Sequence, residues 1–196
     1  ANVSNAPSRR IWGMPSMKIL LIAGGWSSER EVSLTGARGM QEALLKRGHA
    51  VTFFDLLENF DELLETARQH DFALINLHGS PGEDGLVQAM LEKAGCPYQG
   101  SGPSGSFLAL NKAAAKQIFR MAGLPTADWE FLPVRPAEGW EPRLPWPLFV
   151  KTTTGGSSLR LGRATNRQEL DALMDEIFAA GEGVLIEPQL PGKEIT

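Results

Sequence analysis

The chain has 196 residues, of which 42% are hydrophobic and 21% charged, a composition typical of a globular protein with a sizeable core. Its formal net charge of -4, without Lys/Arg runs that alternate with aromatic residues, argues against nucleic-acid binding. Cys96 is the only cysteine, which excludes an intramolecular disulfide and a thiolate metal site in the chain and favours a reducing compartment.

Residues 1–16 are predicted to be a leader, disordered or derived from cloning, because their prolines, arginines and tryptophan follow no period. The pair Arg9-Arg10 is similar to a twin-arginine export signal, but the apolar run Ile19 to Ala23 is too short for the hydrophobic region that such a signal needs. No segment reaches the length of a membrane-spanning helix. These patterns favour a cytoplasmic protein whose native structure begins near Met17.

Residues 17–110 are predicted to form an α/β domain in which strands and helices alternate. Apolar runs predict strands at 18–23, 50–55 and 72–77. Each strand is followed by residues with helical periodicity; the inward positions are Ala37, Met40 and Leu44, then Phe60, Leu63, Leu64 and Ala67, then Val87, Met90 and Leu91. This order predicts a doubly wound parallel sheet, which binds ligands at the carboxyl ends of its strands.

Residues 111–196 are predicted to form part of a second, α+β domain. Asn111 is a suitable N-cap for a helix whose inward residues are Ala115, Ile118, Phe119 and Ala122. The proline-rich stretch 132–147 is predicted to be an irregular connector. A strand at 149–151, a helix with inward residues between Leu170 and Phe178, and a strand at 184–187 follow. We expect this domain to be incomplete, because strand edges and helix faces remain to be covered.

Two loops of the first domain lie where a doubly wound sheet binds ligands. In GGWSSEREVSL, residues 24–34, the glycines allow close backbone approach, and Glu29 and Glu31 suit either a ligand contact or the positive end of a helix dipole. In HGSPGEDG, residues 78–85, His78 can donate to a carboxylate or phosphate or have a structural role. Neither loop has a dinucleotide fingerprint or a Walker sequence.

Two features of the second domain point to an anion. Lys112 begins a helix, where the dipole disfavours a cation, so either an anionic partner or simple solvation explains it. The segment KTTTGGSS, residues 151–158, has the glycines and hydroxyls of a flap that wraps a polyphosphate, although such residues are also common in ordinary loops.

In their order and spacing these segments resemble the N-terminal portion of the D-alanine–D-alanine ligases of the ATP-grasp superfamily. The resemblance runs from about Met17 to Thr196, and it rests on GGWSSEREVSL, LHGSPGEDG with Gln88, PYQGSG, Asn111-Lys112, VKTTTGGSS and VLIEPQLPGKEIT. It implies an N-terminal substrate-binding domain over 17–110, followed by the first, truncated part of an ATP-grasp domain over 111–196.

The resemblance also implies roles for individual residues. Glu29 matches the glutamate that anchors the amino group of the first D-alanine, and Ser157 matches the serine that helps to orient it, so both are predicted to be catalytic. Val32 and His78 are predicted to bind substrate with Glu29, His78 beside its carboxylate. The predicted ATP-binding residues are Lys112, Lys151, Gly156, Ser157, Ser158, Glu187, Pro188, Leu190 and Glu194.

The reaction implied is the ATP-dependent joining of two D-alanines through an acyl phosphate, for peptidoglycan and cell-wall synthesis. The resemblance implies Mg²⁺ or Mn²⁺ as a cofactor, with its ligands beyond Thr196, so no metal ligand is assigned and this chain alone is expected to be inactive. A homodimer is expected, because the family dimerises through its N-terminal domain.

The sequence departs from the family at two flap positions. Thr152 stands where a proline usually follows the flap lysine, and Arg160 stands where the family has glycine. Two other interpretations remain. A related ligase with a different second substrate, such as D-lactate, has the same motifs, and a non-catalytic nucleotide-binding module would account for Arg160 and the absent metal-binding acids.

Overall fold

The computed structural model describes residues 15–156 and 160–193, which form two compact units that divide between Phe107 and Leu108. The predicted leader therefore lies outside the described residues apart from Pro15 and Ser16. In the described part of the chain, no helix is long and apolar enough to cross a membrane.

The first unit contains a parallel sheet of three strands in the order β2-β1-β3. Its elements are β1 (Lys18–Ala23), α1 (Arg30–Lys46), β2 (Ala50–Asp55), α2 (Leu56–Asn59), a 3-10 turn (Phe60–Glu62), α3 (Leu63–Ala67), β3 (Phe72–Ile75), α4 (Leu86–Ala94) and α5 (Pro103–Leu110), whose last three residues belong to the second unit. Both β2 and β3 run parallel to the central strand, so the prediction of a doubly wound parallel sheet is confirmed.

Strand β1 is buried on both faces because its side chains alternate between two cores. Leu20 and Ile22 pack into the larger core, together with residues of α3 and α4. Leu21 and Ala23 point to the other face and pack against Ala37 of α1. Burial on both faces therefore explains the continuous apolar run KILLIA, as the sequence predicted.

The predicted regular helix over Phe60, Leu63, Leu64 and Ala67 is wrong in its extent. The chain turns directly from β2 into α2, whose start is capped by Asp55: its Oδ1 accepts a hydrogen bond of 3.2 Å from the Leu57 amide. A 3-10 turn then separates α2 from α3. The cap at Asp55 thus begins the helical segment at Leu56, earlier than predicted, and the segment consists of short pieces.

The second unit contains an antiparallel sheet of four strands in the order β4-β7-β5-β6. Its further elements are α6 (Lys112–Met121), β4 (Glu130–Leu132), β5 (Leu148–Thr152), β6 (Leu161–Ala164), α7 (Arg167–Ala179) and β7 (Val184–Pro188). One face of the sheet packs against α7, and the buried residues there are Leu148, Val150, Ala164, Leu170, Met174, Ile177, Val184 and Ile186. The other face carries Lys151 and Glu187, at the alternate positions of β5 and β7.

Sequence patterns missed β4 and β6. In β6 the residue opposite Val150 is Gly162, a poor strand former, and its side of the sheet is approached closely by α7. A Cβ at Gly162 would overlap the Leu173 side chain, whose Cγ lies 3.1 Å away. Close packing against α7 therefore requires glycine at position 162, although glycine has a low strand propensity.

The predicted inward face of α6 is wrong, although Asn111 is the N-cap: its side chain accepts a 3.0 Å hydrogen bond from the Ala114 amide. Ile118 and Phe119 are each 42% exposed, whereas Lys116 is only 7% exposed. Lys116 is buried because its ammonium group pairs with Glu187 of β7. An ion pair between distant segments thus decides which face of the helix points inward.

Candidate functional site

The loops that follow β1 and β3 lie at the point where the sheet reverses its winding. From β1 the chain passes through α1 to β2, which lies on one side of β1. It then continues to β3, which lies on the other side of β1. The carboxyl ends of β1 and β3 therefore form the switch-point crevice in which doubly wound sheets bind ligands. These two loops are residues 24–29 and 76–85.

An ion pair shapes the beginning of the loop after β1. Arg30 donates hydrogen bonds of 2.7 and 2.6 Å to the two carboxylate oxygens of Asp55, at the end of β2. These bonds and the guanidinium charge hold the pKa of the Asp55 carboxyl below its usual range, although burial opposes the shift. Gly24 lies against this pair with a φ of +79°, which glycine adopts readily.

The buried Ser33 ties the two loops together. Its hydroxyl accepts a 2.8 Å hydrogen bond from the Gly24 amide and donates one to the Asn76 carbonyl, just beyond β3. The Asn76 side chain in turn donates a 2.7 Å hydrogen bond to the Ser33 carbonyl. Both loops of the crevice therefore start from positions fixed by the first turns of α1.

Within the first unit, the structure brings Glu29 close to the loop that carries His78. Glu29 is the N-cap residue of α1 and is half-buried. A Cβ built on Gly79 would lie 3.9 Å from Glu29 Oε2 and 3.4 Å from the Ser27 Cβ. His78, next to Gly79, is also half-buried, whereas Val32 is 61% exposed on α1.

The acids Glu83 and Asp84 stabilise the loop in which they lie. Glu83 Oε2 accepts a 2.9 Å hydrogen bond from the Gly79 amide. Asp84 accepts hydrogen bonds from the Ser80 hydroxyl, at 2.5 Å, and from the Leu86 amide, at 3.0 Å. Both carboxylates therefore satisfy donors near the start of α4, where the helix dipole favours a negative charge.

In the second unit, three lysines surround Glu187 on the face of the sheet opposite α7. Lys116 Nζ lies 2.5 Å from Glu187 Oε1, and Lys151 Nζ contacts Oε2. Burial alone would raise the pKa of the Glu187 carboxyl, but the hydrogen bonds and charges of the two lysines outweigh burial and lower it. Glu187 is therefore a fully ionised acceptor at neutral pH.

Lys112, the third lysine, has no carboxylate bound to its ammonium group in the described part of the chain. Its Nζ donates to the Gly155 carbonyl, and its backbone amide donates a 2.9 Å hydrogen bond to Thr153 O. Burial lowers the pKa of the Lys112 ammonium, and the charge of Lys151 lowers it further. Even with Glu182, whose charge also acts on Lys112, the lysines outnumber the acids, which favours an anionic ligand.

A cavity of about 680 Å³ adjoins this cluster, a volume within the usual range for small-molecule sites. Its lining combines the charged groups of the cluster with apolar side chains, and it includes Lys116, Thr126, Phe149, Lys151, Leu161, Glu187, Pro188, Leu190 and Lys193. The structure thus brings together four predicted ATP-binding residues. Sequence patterns missed Lys116, Phe149 and Leu161; the four-residue spacing from Lys112 to Lys116, which places them on one helix face, was the available signal.

The loop after β5 begins with residues of the predicted flap. Gly156 is exposed, whereas the predicted positions Ser157, Ser158 and Glu194 lie outside the described residues. Thr153 Oγ1 donates a 2.9 Å hydrogen bond to Gly183 O, and Thr154 Oγ1 donates a 2.6 Å bond to Glu182. The root of this loop is therefore fixed to the segment before β7.

The departure at Arg160 is visible in the backbone. Arg160 has a φ of +53°, in the left-handed region that favours glycine. The position thus retains the conformation that suits the glycine of the family, with an arginine side chain in its place. Thr152, the other departure, is buried, and its Oγ1 accepts a 3.0 Å hydrogen bond from the Gly155 amide.

Known proteins are similar to this chain in sequence. A family model described as the D-ala D-ala ligase C-terminus matches residues 117–196. The D-alanine–D-alanine ligase of Desulfovibrio desulfuricans is 75% identical over 180 residues, which are 92% of this chain and 59% of the relative. The chain matches the N-terminal portion of the D-alanine–D-alanine ligases. A ligase of the same name from Nitratidesulfovibrio vulgaris is 62% identical, with the same coverage.

Solved structures of D-alanine–D-alanine ligases extend the match to the fold. The enzyme of Bacillus anthracis has a TM-score of 0.80 at 36% identity, covering 90% of this chain and 59% of that one. Its complex with ATP has a TM-score of 0.77 at 34% identity, with coverages of 90% and 60%. The resemblance drawn from the motifs is confirmed. The chain spans about three fifths of the length of the relatives that it matches.

Proposed function

We propose that the protein containing this chain is a D-alanine–D-alanine ligase, which uses ATP to join two D-alanines for peptidoglycan synthesis. The observation that carries the proposal is the cluster of Lys112, Lys116 and Lys151 around Glu187, beside a cavity large enough for a nucleotide. The relatives named as ligases support it, as does the neighbour whose structure contains ATP.

We assign ATP to the second unit, as the first part of an ATP-grasp domain. Phe149, Leu161 and Leu190 offer apolar walls to the base. Each carboxylate oxygen accepts more than one hydrogen bond, so Glu187 can receive the adenine amino group while it remains paired with lysine. Lys112 and Lys151 are placed to contact the phosphates. Gly156, Pro188, Ser157, Ser158 and Glu194 complete the proposed ATP site.

We assign the first D-alanine to the crevice of the first unit. Glu29 is the proposed partner of its ammonium group, and His78 that of its carboxylate, because the two loops that carry them lie side by side. Val32 borders this region on the first turn of α1, and Ser157 is proposed to help orient the first D-alanine. The protein is proposed to be cytoplasmic and homodimeric.

In the proposed reaction, a carboxylate oxygen of the first D-alanine attacks the γ-phosphorus of ATP, and the bond to the β-γ bridging oxygen breaks. The products are an acyl phosphate and ADP. The amine of the second D-alanine then attacks the acyl carbon, loses a proton and expels inorganic phosphate. Lysine charges stabilise the transferring group, so positioning and electrostatics supply most of the rate enhancement.

Magnesium, which the family uses, would neutralise phosphate charge in this reaction. Among residues 15–156 and 160–193, no group of three or more His, Cys, Asp or Glu side chains could hold a metal ion. The described residues therefore do not form a metal site of their own.

The direct test is to incubate the full-length protein with ATP, magnesium and D-alanine and to measure both phosphate release and the dipeptide by mass spectrometry. We expect one phosphate per dipeptide and no phosphate release when L-alanine replaces D-alanine. A depsipeptide formed preferentially from D-lactate would instead identify a related ligase. Tight ATP binding without turnover of any of these substrates would support the non-catalytic module and contradict the proposal.

A further inference from the structure

Among the described residues of the proposed ATP site, Lys116 has the most buried charged side chain. Its Nζ lies 2.5 Å from Glu187 Oε1 and donates a 2.7 Å hydrogen bond to the Thr126 hydroxyl. It also lies 5.2 Å from the centre of the Trp129 ring, close enough for a cation–π contact. Burial of an ammonium group is unfavourable unless the group is paired, and these contacts stabilise the charged form of Lys116.

The two oxygens of Glu187 are divided between two lysines of unequal exposure. Lys116 holds Oε1 from α6, and Lys151 holds Oε2 from the neighbouring strand β5. The Lys151 side chain is 26% exposed, whereas that of Lys116 is 9% exposed. The Lys151 side chain can therefore turn toward a ligand, whereas Lys116 remains paired with Glu187.

From this division we infer that Lys116 is a positioning residue, which holds the Glu187 carboxylate in place and ionised while Lys151 leaves it for a phosphate group of the nucleotide. Without Lys116, the buried Glu187 carboxylate would lose its remaining ion-pair partner when Lys151 moves to the phosphate. The resulting free-energy penalty would weaken ATP binding. The inference rests on the proposed function and deepens its account of the ATP site.

Arg120 provides a matched control one turn further along α6. Its guanidinium carbon lies 4.5 Å from the centre of the same Trp129 ring, and its Nη2 donates a 2.7 Å hydrogen bond to Gln117. Arg120→Met thus removes a cation from the same ring without removing a partner of Glu187. Lys116→Met removes both, and Lys116→Arg keeps the charge.

The experiment measures the ATP dissociation constant of the full-length protein by calorimetry from pH 6 to 8, together with kcat and the KM for ATP. We expect Lys116→Met to weaken ATP binding about tenfold at pH 8, to raise KM similarly and to change kcat less than threefold. Lys116→Arg should recover most of the affinity, and Arg120→Met should stay within twofold of wild type.

The pH dependence separates positioning from a merely structural role. Within residues 15–156 and 160–193, Lys112 and Lys116 of α6 and Lys151 of β5 act on Glu187, and Lys193 lines the same cavity. Without Lys116, Glu187 takes up a proton when Lys151 leaves, so the variant's loss of affinity should shrink as the pH falls from 8 to 6. A loss equal at every pH, or one that Lys116→Arg does not restore, would overturn the inference.

A double variant covers the case in which Lys116→Met does not fold. Glu187→Gln removes the charge that Lys116 compensates, so adding Lys116→Met to it should change ATP affinity less than twofold. A further tenfold loss in that background would contradict the inference. If wild type itself does not bind ATP, the proposed function fails; if wild type binds and Lys116→Met binds equally well, only the inference fails.

Discussion

Arg30 donates hydrogen bonds to both carboxylate oxygens of Asp55, and the pair occupies the space that a Cβ on Gly24 would need. The end of β2 and the start of α1 are thereby joined across the loop that follows β1. Because the loop runs beneath this pair, it has room for glycine and not for a larger residue.

Gly24→Ala should destabilise the protein by about 3 kcal/mol, since a Cβ would overlap the Arg30 guanidinium, lie 2.6 Å from Asp55 Oδ1 and require a left-handed backbone. Urea unfolding measures the loss. Gly39→Ala is the control: Gly39 lies within α1 with nothing within 4 Å of its Cβ position, so it should stabilise by about 0.5–1 kcal/mol. Equal effects of the two variants would show that the ion pair does not restrict Gly24.

Glu29→Gln in the full-length protein should raise the KM for the first D-alanine at least tenfold and leave the ATP dissociation constant within twofold. The reason is that the proposed partner of Glu29 is an ammonium group, which a neutral amide binds more weakly. Glu31→Gln, two residues further along α1 at an exposed position, should have neither effect. Equal losses in D-alanine and ATP binding would show that Glu29 has only a structural role.

ATP affinity should fall as the pH rises toward the usual titration range of lysine. Burial and the charge of Lys151 lower the pKa of the Lys112 ammonium, so it loses its proton before an exposed lysine does. The contact with phosphate is lost with that proton, and ATP binding in this window should be accompanied by proton uptake. Calorimetry between pH 7 and 10 in two buffers measures both, and Lys112→Met should bind more weakly with a flatter pH profile. An unchanged profile in that variant would assign the titration to another group.

Arg160→Gly should stabilise the protein relative to Arg160→Ala by about 1 kcal/mol, because both remove the side chain and only glycine relieves the cost of the left-handed φ of +53°. Thermal unfolding of the two variants isolates the backbone contribution, and Arg160→Ala should remain close to wild type. If alanine and glycine proved equally stable, Arg160 would not be in the left-handed conformation in solution.

The parts of the fold that the sequence predicted depend on neighbours along the chain. The buried strand Lys18–Ala23 is recognisable from its unbroken apolar run, and Asn111 caps a residue three positions away. The inward face of α6 was wrong because Lys116 meets a carboxylate far along the chain, which no local period reveals. Likewise, β6 was missed because the reason for Gly162 is the approach of Leu173 from α7.

The candidate site was predictable to a similar degree. The motifs selected Lys151, Glu187, Pro188 and Leu190, which line one cavity, and Glu29 and His78, which lie on adjacent loops. The roles of these residues stay predictions until the variants are measured. Among the cavity's other walls, Phe149 and Leu161 are apolar and carry no chemical signal, so only the three-dimensional structure identifies them.

Strand β1 contributes alternate side chains to packing on both of its faces, Leu20 and Ile22 to one and Leu21 and Ala23 to the other. The core on either face of β1 cannot unfold without exposing β1 to solvent, and β1 also belongs to the core on the other face. The two cores are therefore expected to unfold together, as one cooperative element. Hydrogen exchange of the β1 amides should consequently be the slowest in this unit and should report its global opening.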